Sequence, residues 1–506
     1  MQSTDIELFD GIPAARLQQV PAESLFHGRD QRDPGSTHEK QVWQLVSILF
    51  DDIAVNNGET VASIRKARLS AFWEDLVGDA TTKAMSAAMT PEDKALAALG
   101  GRKKIEACAS LTEGRDFRAA TLVSLIGSSD DFRREMRTQL RQWRQDSVLA
   151  EFSEPMRAIY ELLGGNVCVS EGKKDGAVED RMDSFVISRR FGLDWRQAFG
   201  LRLWYATSSQ DDVSEAIKMF AEDITQDKEA RPSPWYVEQG IKPLHEDDQS
   251  DSREDILWGL LKLYAGMQSA AESVAIPATY QPSPVEFRLP WQLMQVLARR
   301  LPDTQVLKEL SDKLTLSYAS QLTAEGSWYK AAWVLVHLHD TTTKASELRD
   351  LITRNWGLNG ALEGDSDVPD EPGTSAGAHT GAIFRKLCIP SSWVYEAMAL
   401  WYHDQAERAS TADARQQLKM LEFYSLWLDE SKREEAYRLF AQDIGPACYI
   451  RRARDLDLLL ARLPASFVQT AGCRAAIADI RLSAGKPNRS DGDRAAARAG
   501  LGRIRV

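Results

Sequence analysis

The chain has 506 residues, 43% of them hydrophobic and 27% charged, with 62 basic against 74 acidic side chains and a net charge of −12. That composition builds a sizeable core, so whole-chain disorder is excluded, and the length fits about three domains or one long repeat-like structure. The acidic balance argues against a protein that lives by gripping polyphosphate.

Residues 1–37 are rich in Pro, Gly and polar residues and read as an extended segment. Met1 to Asp10 carries neither the basic nor the apolar region of a leader, so the expectation is a protein that stays inside the cell. Helices are expected from 38, where Ser36 and Glu39 have capping-box spacing. Val42, Leu45, Val46, Leu49 and Ile53 then recur at helical period. A second helix over 60–77 carries Ile64, Leu69, Phe72, Trp73 and Leu76. Thr90, Pro91, Glu92 and Asp93 open a third: a capping hydroxyl, a proline at the first position, and acids in the first turn. Further helices are expected over 102–113, 116–126, 129–146, 155–163, 194–206 and 211–224. They resume over 254–267, 289–300, 305–322, 327–339, 342–355, 391–407, 411–428, 431–442, 447–462 and 473–483.

Three stretches read as loops or insertions: 170–182, the polar 225–253, and 358–382, which holds five acidic and no basic residues. The tail 486–506 has six basic and two acidic residues and few core formers. The 358–382 loop and this tail are expected to be disordered. No Asp-Gly or Asn-Gly hairpin signal is found between alternating apolar runs. Helices of 10–18 residues with short connections predict an all-α stack of antiparallel pairs, an irregular solenoid without a strict repeat. Fourteen tryptophans spread along the chain fit many packing sites better than one aromatic cleft. Five sparse cysteines match no zinc or C-x-x-C spacing and read as reduced core thiols. No run of 18 apolar residues is present.

The chemical motifs are weak. Gly373-Thr374-Ser375-Ala376-Gly377 fits the G-x-S-x-G pattern, but a nucleophile elbow needs a strand before it, and Asp367 to Pro372 is acidic and turn-forming. His337 and His339 are two apart, which on a helix points them to different faces, so packed histidines are favoured over a metal site. No Walker loop or dinucleotide fingerprint occurs, and no catalytic residue, cofactor or metal is expected.

The helix over 129–146 is more informative. Phe132, Met136, Leu140 and Trp143 form one stripe, and Arg133, Arg134, Arg137, Arg141 and Arg144 form another. A core face beside a solvated face is the simplest account; the alternative is a basic surface for an acidic partner or RNA. The next segment, Pro155, Met156, Ile159, Tyr160, Leu162 and Leu163, is apolar on more than one side. It reads equally as a buried helix and as one shared with a partner's core. Arg133, Arg137, Arg141, Arg144, Met156, Ile159, Tyr160 and Leu163 are therefore the candidate partner-interface residues.

Several stretches resemble a known family. They are Val42 to Leu45 with Ile48 to Asp52; Arg65 with Arg68, Leu69, Ser70 and Trp73; Leu260 to Tyr264; and Phe287 to Leu293. Trp333 to Leu338, Ile389 and Pro390 with Trp393 and Val394, and Ala436 to Phe440 with Gly445 and Pro446 continue the series. In this order they resemble the helical stem nucleoporins of the Y-shaped outer-ring complex of the nuclear pore. These are released when a larger Gly-Leu-Phe-Gly precursor cleaves itself. The resemblance implies an elongated, coat-like helical scaffold at the nuclear envelope, and not an enzyme. It implies a trunk (38–100 with 285–357), a crown (101–284) and a tail module (383–485). It also implies a helical nucleoporin on the crown, arm nucleoporins on the tail and a six-bladed β-propeller subunit completed by a donated blade. Here the segment before the first helix has room for one short strand, Thr4 to Phe9, and not a full blade. Either the chain starts after the blade, or propeller binding rests on helix contacts alone. The competing readings are a helical coat subunit of membrane traffic, an α-helical hydrolase using Ser375 or a His-based metal site, and an RNA-binding module using the 133–144 arginines.

Overall fold

The computed structural model describes residues 4–26, 33–55, 59–127, 129–175, 177, 180–244, 253–267, 269–301, 305–356, 384–451, 460–461 and 463–484. The acidic loop 358–382, including Ser375, and the basic tail 486–506 lie outside the described residues. The fold is all-α, as expected, with two small β ribbons. The described residues fall into two compact units, one drawn from 19–314 and the other from 1–18 and 315–506.

In the first unit, α1 (Pro34–Phe50) and α2 (Val61–Ala87) bury Trp43, Leu45, Leu69 and Trp73. The cap of α1 is Asp33, not Ser36: its carboxylate accepts from the Ser36 backbone N–H at 2.9 Å, and Pro34 takes the first helical position. Asp and Ser cap about equally well, and proline at the position after Asp33 forfeits no hydrogen bond. Helix α2 runs past its expected end at 77: Gly78 is carried inside it, and no proline follows before Ala88. Then come α3 (Pro91–Leu99), capped by Thr90 as expected, α4 (Lys104–Glu113) and α5 (Phe117–Ser124). Next are α6 (Asp130–Gln145) and α7 (Glu154–Leu163). The segment 170–182 is not a free loop. Strands β3 (Val169–Ser170) and β4 (Phe185–Val186) pair, and Lys173 bridges Met182, in a short antiparallel ribbon.

Helix α8 (Ile187–Phe191) was not expected. It leads to α9 (Trp195–Leu201), a π turn (Arg202–Ala206) and α10 (Val213–Thr225). The described part of the polar stretch after α10, 226–244, is mostly irregular, as a loop is. Its turn α11 (Trp235–Glu238) buries Tyr236, whose hydroxyl donates to Ala278 O at 2.7 Å. Two aromatic side chains anchor a segment whose composition reads as a loop. Helices α12 (Ile256–Tyr264), α13 (Ala270–Ala275) and α14 (Arg288–Arg300) follow. Arg288 ties α14 to α1 through a two-pronged pair with Glu39, at 2.8 and 2.6 Å. Helix α15 (Gln305–Ala324) spans the boundary between the units.

A seam of titratable groups lies buried in this unit. Asp255 caps α12 through Leu257 N and also accepts from Trp235 N at 3.1 Å. His38 and Arg196 approach it at 3.8 and 3.9 Å. Burial pushes the Asp255 carboxyl up to about 6. Burial, with Arg196 nearby, lowers the His38 imidazole to about 3.

The second unit opens with a hairpin. Strands β1 (Thr4–Phe9) and β2 (Ile12–Leu17) pair antiparallel, with Phe9 opposite Ile12. The strand expected at Thr4 to Phe9 is present and gains a partner. Asp10 and Gly11 make the turn, both at positive φ, 49° and 76°. This is the Asp-Gly hairpin signal that sequence reading missed: Asp5 and Glu7 alternate with Ile6 and Leu8 before the turn, but Ile12 to Leu17 after it does not alternate and holds Pro13. Ala15 N donates to Val336 O at 3.3 Å, and the Cys388 thiol to Ile6 O at 3.4 Å.

The helices of this unit are α16 (Trp328–Leu335), α17 (Thr341–Asn355), α18 (Ser391–Arg408), α19 (Ala412–Leu428) and α20 (Arg433–Leu439). A π turn (Phe440–Ile444) leads to α21 (Gly445–Arg451), then α22 (Ala465–Val468) and α23 (Ala471–Ala484). Phe467 is the centre of its last core, with Phe423, Trp427 and Phe440 rings at 4.8, 5.1 and 5.1 Å. Such edge-on aromatic pairs add about 1 kcal/mol each beyond area burial.

Candidate functional site

Helices α6 and α7 carry the eight candidate residues. Ser129 caps α6 and Ser153 caps α7, each by accepting from the backbone three residues on. The α6 arginines divide by what their heads reach. Arg133 is buried, donates to Tyr205 O at 3.2 Å and pairs with Asp130. Arg137 donates to Gly164 O at 2.5 Å. Arg144 bridges Glu161 at 2.8 Å and Glu171 at 3.2 Å. Arg141 makes only local bonds on its own helix, to Arg137 O and Thr138 Oγ1. Arg134 faces solvent beside Asp131, a pair of the kind worth under about 1 kcal/mol.

One cause underlies this pattern. The last carbonyls of a helix lack partners and carry partial negative charge. Here several such ends meet cations. Lys104 Nζ caps Ile126 O just past α5 at 2.7 Å, Arg137 caps Gly164 O just past α7, and Arg133 reaches Tyr205 O in the π turn. Lys66 donates to Thr207 Oγ1 at 2.6 Å and to Ser208 O, and burial lowers its amine to about 8. Much of the basic stripe therefore joins this unit's own helix ends.

The apolar candidates are likewise held inside the unit. Met156, Ile159, Tyr160 and Leu163 are all buried, as is every residue between them. Trp143 meets Phe152 and Tyr160 edge-on at 5.6 and 5.1 Å, and Arg118 lies over the Trp143 ring at 5.5 Å. Burial raises the Glu161 carboxyl, opposed by Asn166 and then Arg144. Arg157, lowered by burial, donates to Ser170 Oγ and Asp183 O and packs over Phe185, which locks α7 to the ribbon.

The surfaces left open lie elsewhere. On α4 and α5, Ile105 is 83% and Phe117 64% exposed. On α18 only Ala397, Ala399 and Ala406 are buried, while Leu400 is 51% exposed. Trp393, Val394, Met398, Trp401 and Tyr402 are half-buried on the same helix. These apolar side chains stand beside Glu396, which pairs with Arg349, and His403, which pairs with Glu422.

His337 is buried on its helix end, with Nδ1 2.9 Å from Trp333 O and its ring against Trp333. Among the described residues no three His, Cys, Asp or Glu side chains converge as a metal site. Among them too, no helix is long and apolar enough to cross a membrane.

Comparison with known proteins gives one consistent answer. The family model Nup96, nuclear protein 96, matches residues 93–401, more than half of the chain and from α3 into α18. Nucleoporin NUP145 of Chaetomium thermophilum is 35% identical over 413 residues, which is 81% of this chain and 19% of that protein. Nucleoporin nup189 of Schizosaccharomyces pombe is 31% identical over 395 residues, 72% of this chain and 20% of that protein. Nuclear pore complex protein Nup98-Nup96 of Drosophila melanogaster is 25% identical over 382 residues, 73% and 18% respectively. The chain thus spans about a fifth of the length of these relatives. Together, the all-α fold and the match from α3 to α18 identify the chain as a member of the Nup96 family, nucleoporins of the nuclear pore complex at the nuclear envelope.

Proposed function

We propose that the chain is a structural scaffold of the outer-ring Y complex, which works by binding other nucleoporins and performs no catalysis. The observation that carries this reading is the family match over residues 93–401. The trunk, crown and tail arrangement is part of the proposal, and the Glu39–Arg288 pair between α1 and α14 supports the pairing of the trunk halves.

On this reading a helical nucleoporin binds the crown on the outer face of α4 to α6. Ile105 and Phe117 supply apolar area there, and Arg141 and Arg134 supply charge. Met156, Ile159, Tyr160 and Leu163 shape that face from beneath, and Arg133, Arg137 and Arg144 fix it. Arm nucleoporins bind the tail, where the incompletely covered α18 supports the assignment. The β1–β2 hairpin is the segment we assign to the propeller subunit; Leu8 and Phe9 at its tip are 54% and 68% exposed. Exposed apolar side chains that form a contiguous patch mark a protein interface, and these are the positions the reading puts in one.

The test is a pull-down of the folded chain from nuclear extract in moderate salt, with mass identification. Stoichiometric helical and propeller nucleoporins support the reading. Membrane-traffic coat subunits or RNA in their place would overturn it.

A further inference from the structure

We draw no further inference here: the strongest candidate, the 550 Å³ apolar groove between the end of α2, the start of α3 and the α8–α9 turn, lined by Ala84, Ala87, Leu96, Phe191 and Leu193, carries nothing because nothing in the structure shows what covers it.

Discussion

Helices α7 and α18 look alike as strings of letters, since both are apolar on more than one side. Their structural fates differ. Every residue of α7 from Met156 to Leu163 is buried, and the polar ones are matched: Glu161 to Arg144 and Asn166, and Arg157 to Ser170 and Asp183. On α18 the buried residues are three alanines, while its tryptophans, Tyr402 and Met398 are half-covered and Leu400 faces outward. The apolar surface of α7 stabilises the fold. That of α18 is left over, and left-over apolar surface on a scaffold is where association gains its driving force.

The comparison breaks most visibly by truncation. Ile159→Ala should cost about 3 kcal/mol, the usual range for emptying a packed core site. Leu400→Ala should shift stability by less than about 0.5 kcal/mol, as at an exposed position. Denaturant unfolding of both variants reads the contrast, and equal losses would erase it.

The buried seam in the α7-bearing unit sharpens the contrast through pH. Asp255, raised from 3.8 to about 6, holds its proton longer folded than unfolded, so its share of stability is lost as pH rises through 6. His38, lowered from 6.5 to about 3, does the opposite: its share is present above 6.5 and lost as pH falls toward 3. Between 3.8 and 6 the two oppose each other. Asp255→Asn should therefore make the protein lose about 3 kcal/mol as pH drops from 6.5 to 4. His38→Gln should reverse the slope. Unfolding midpoints across that range decide it, and parallel profiles for the two variants would refute the coupling.

Arg144→Ala strands Glu161, 4% exposed, without its cation. A loss of about 2 kcal/mol is expected, and Glu161→Gln in the same background should recover part of it. Arg141→Glu should change stability as little as Leu400→Ala, within about 0.5 kcal/mol, because only local bonds are lost. It should still weaken the partner proposed for the crown. Arg137→Glu, in contrast, should destabilise the unit, because Gly164 O loses its donor. Thermal melts beside a binding titration separate the two, and unchanged partner affinity for Arg141→Glu would remove α6 from the interface.

Much of this molecule was legible from local signals. The Thr90 cap with Pro91 and the apolar stripes of α1 and α6 act within a few residues, and they place helices well. What was not legible depends on distant partners. The arginine stripe reads as a surface because its carbonyl acceptors lie far along the chain: Tyr205 is 72 residues from Arg133, and Gly164 is 27 from Arg137. The stretch after α10 is the loop its polar letters predict; what they do not show is that Trp235 and Tyr236 anchor it. The hairpin is the instructive miss. Asp10-Gly11 was there to be read beside the expected strand, but Ile12 to Leu17 does not alternate and holds Pro13, so the partner strand went unread.

The most direct test follows hydrogen exchange of the chain alone and within the nucleoporin assembly recovered from extract. The account predicts new protection on α18, on the α4–α5 face around Ile105 and Phe117, and on the β1–β2 hairpin, with α7 already protected and unchanged. Protection gained on α7 while α18 and the hairpin exchange as before would contradict it.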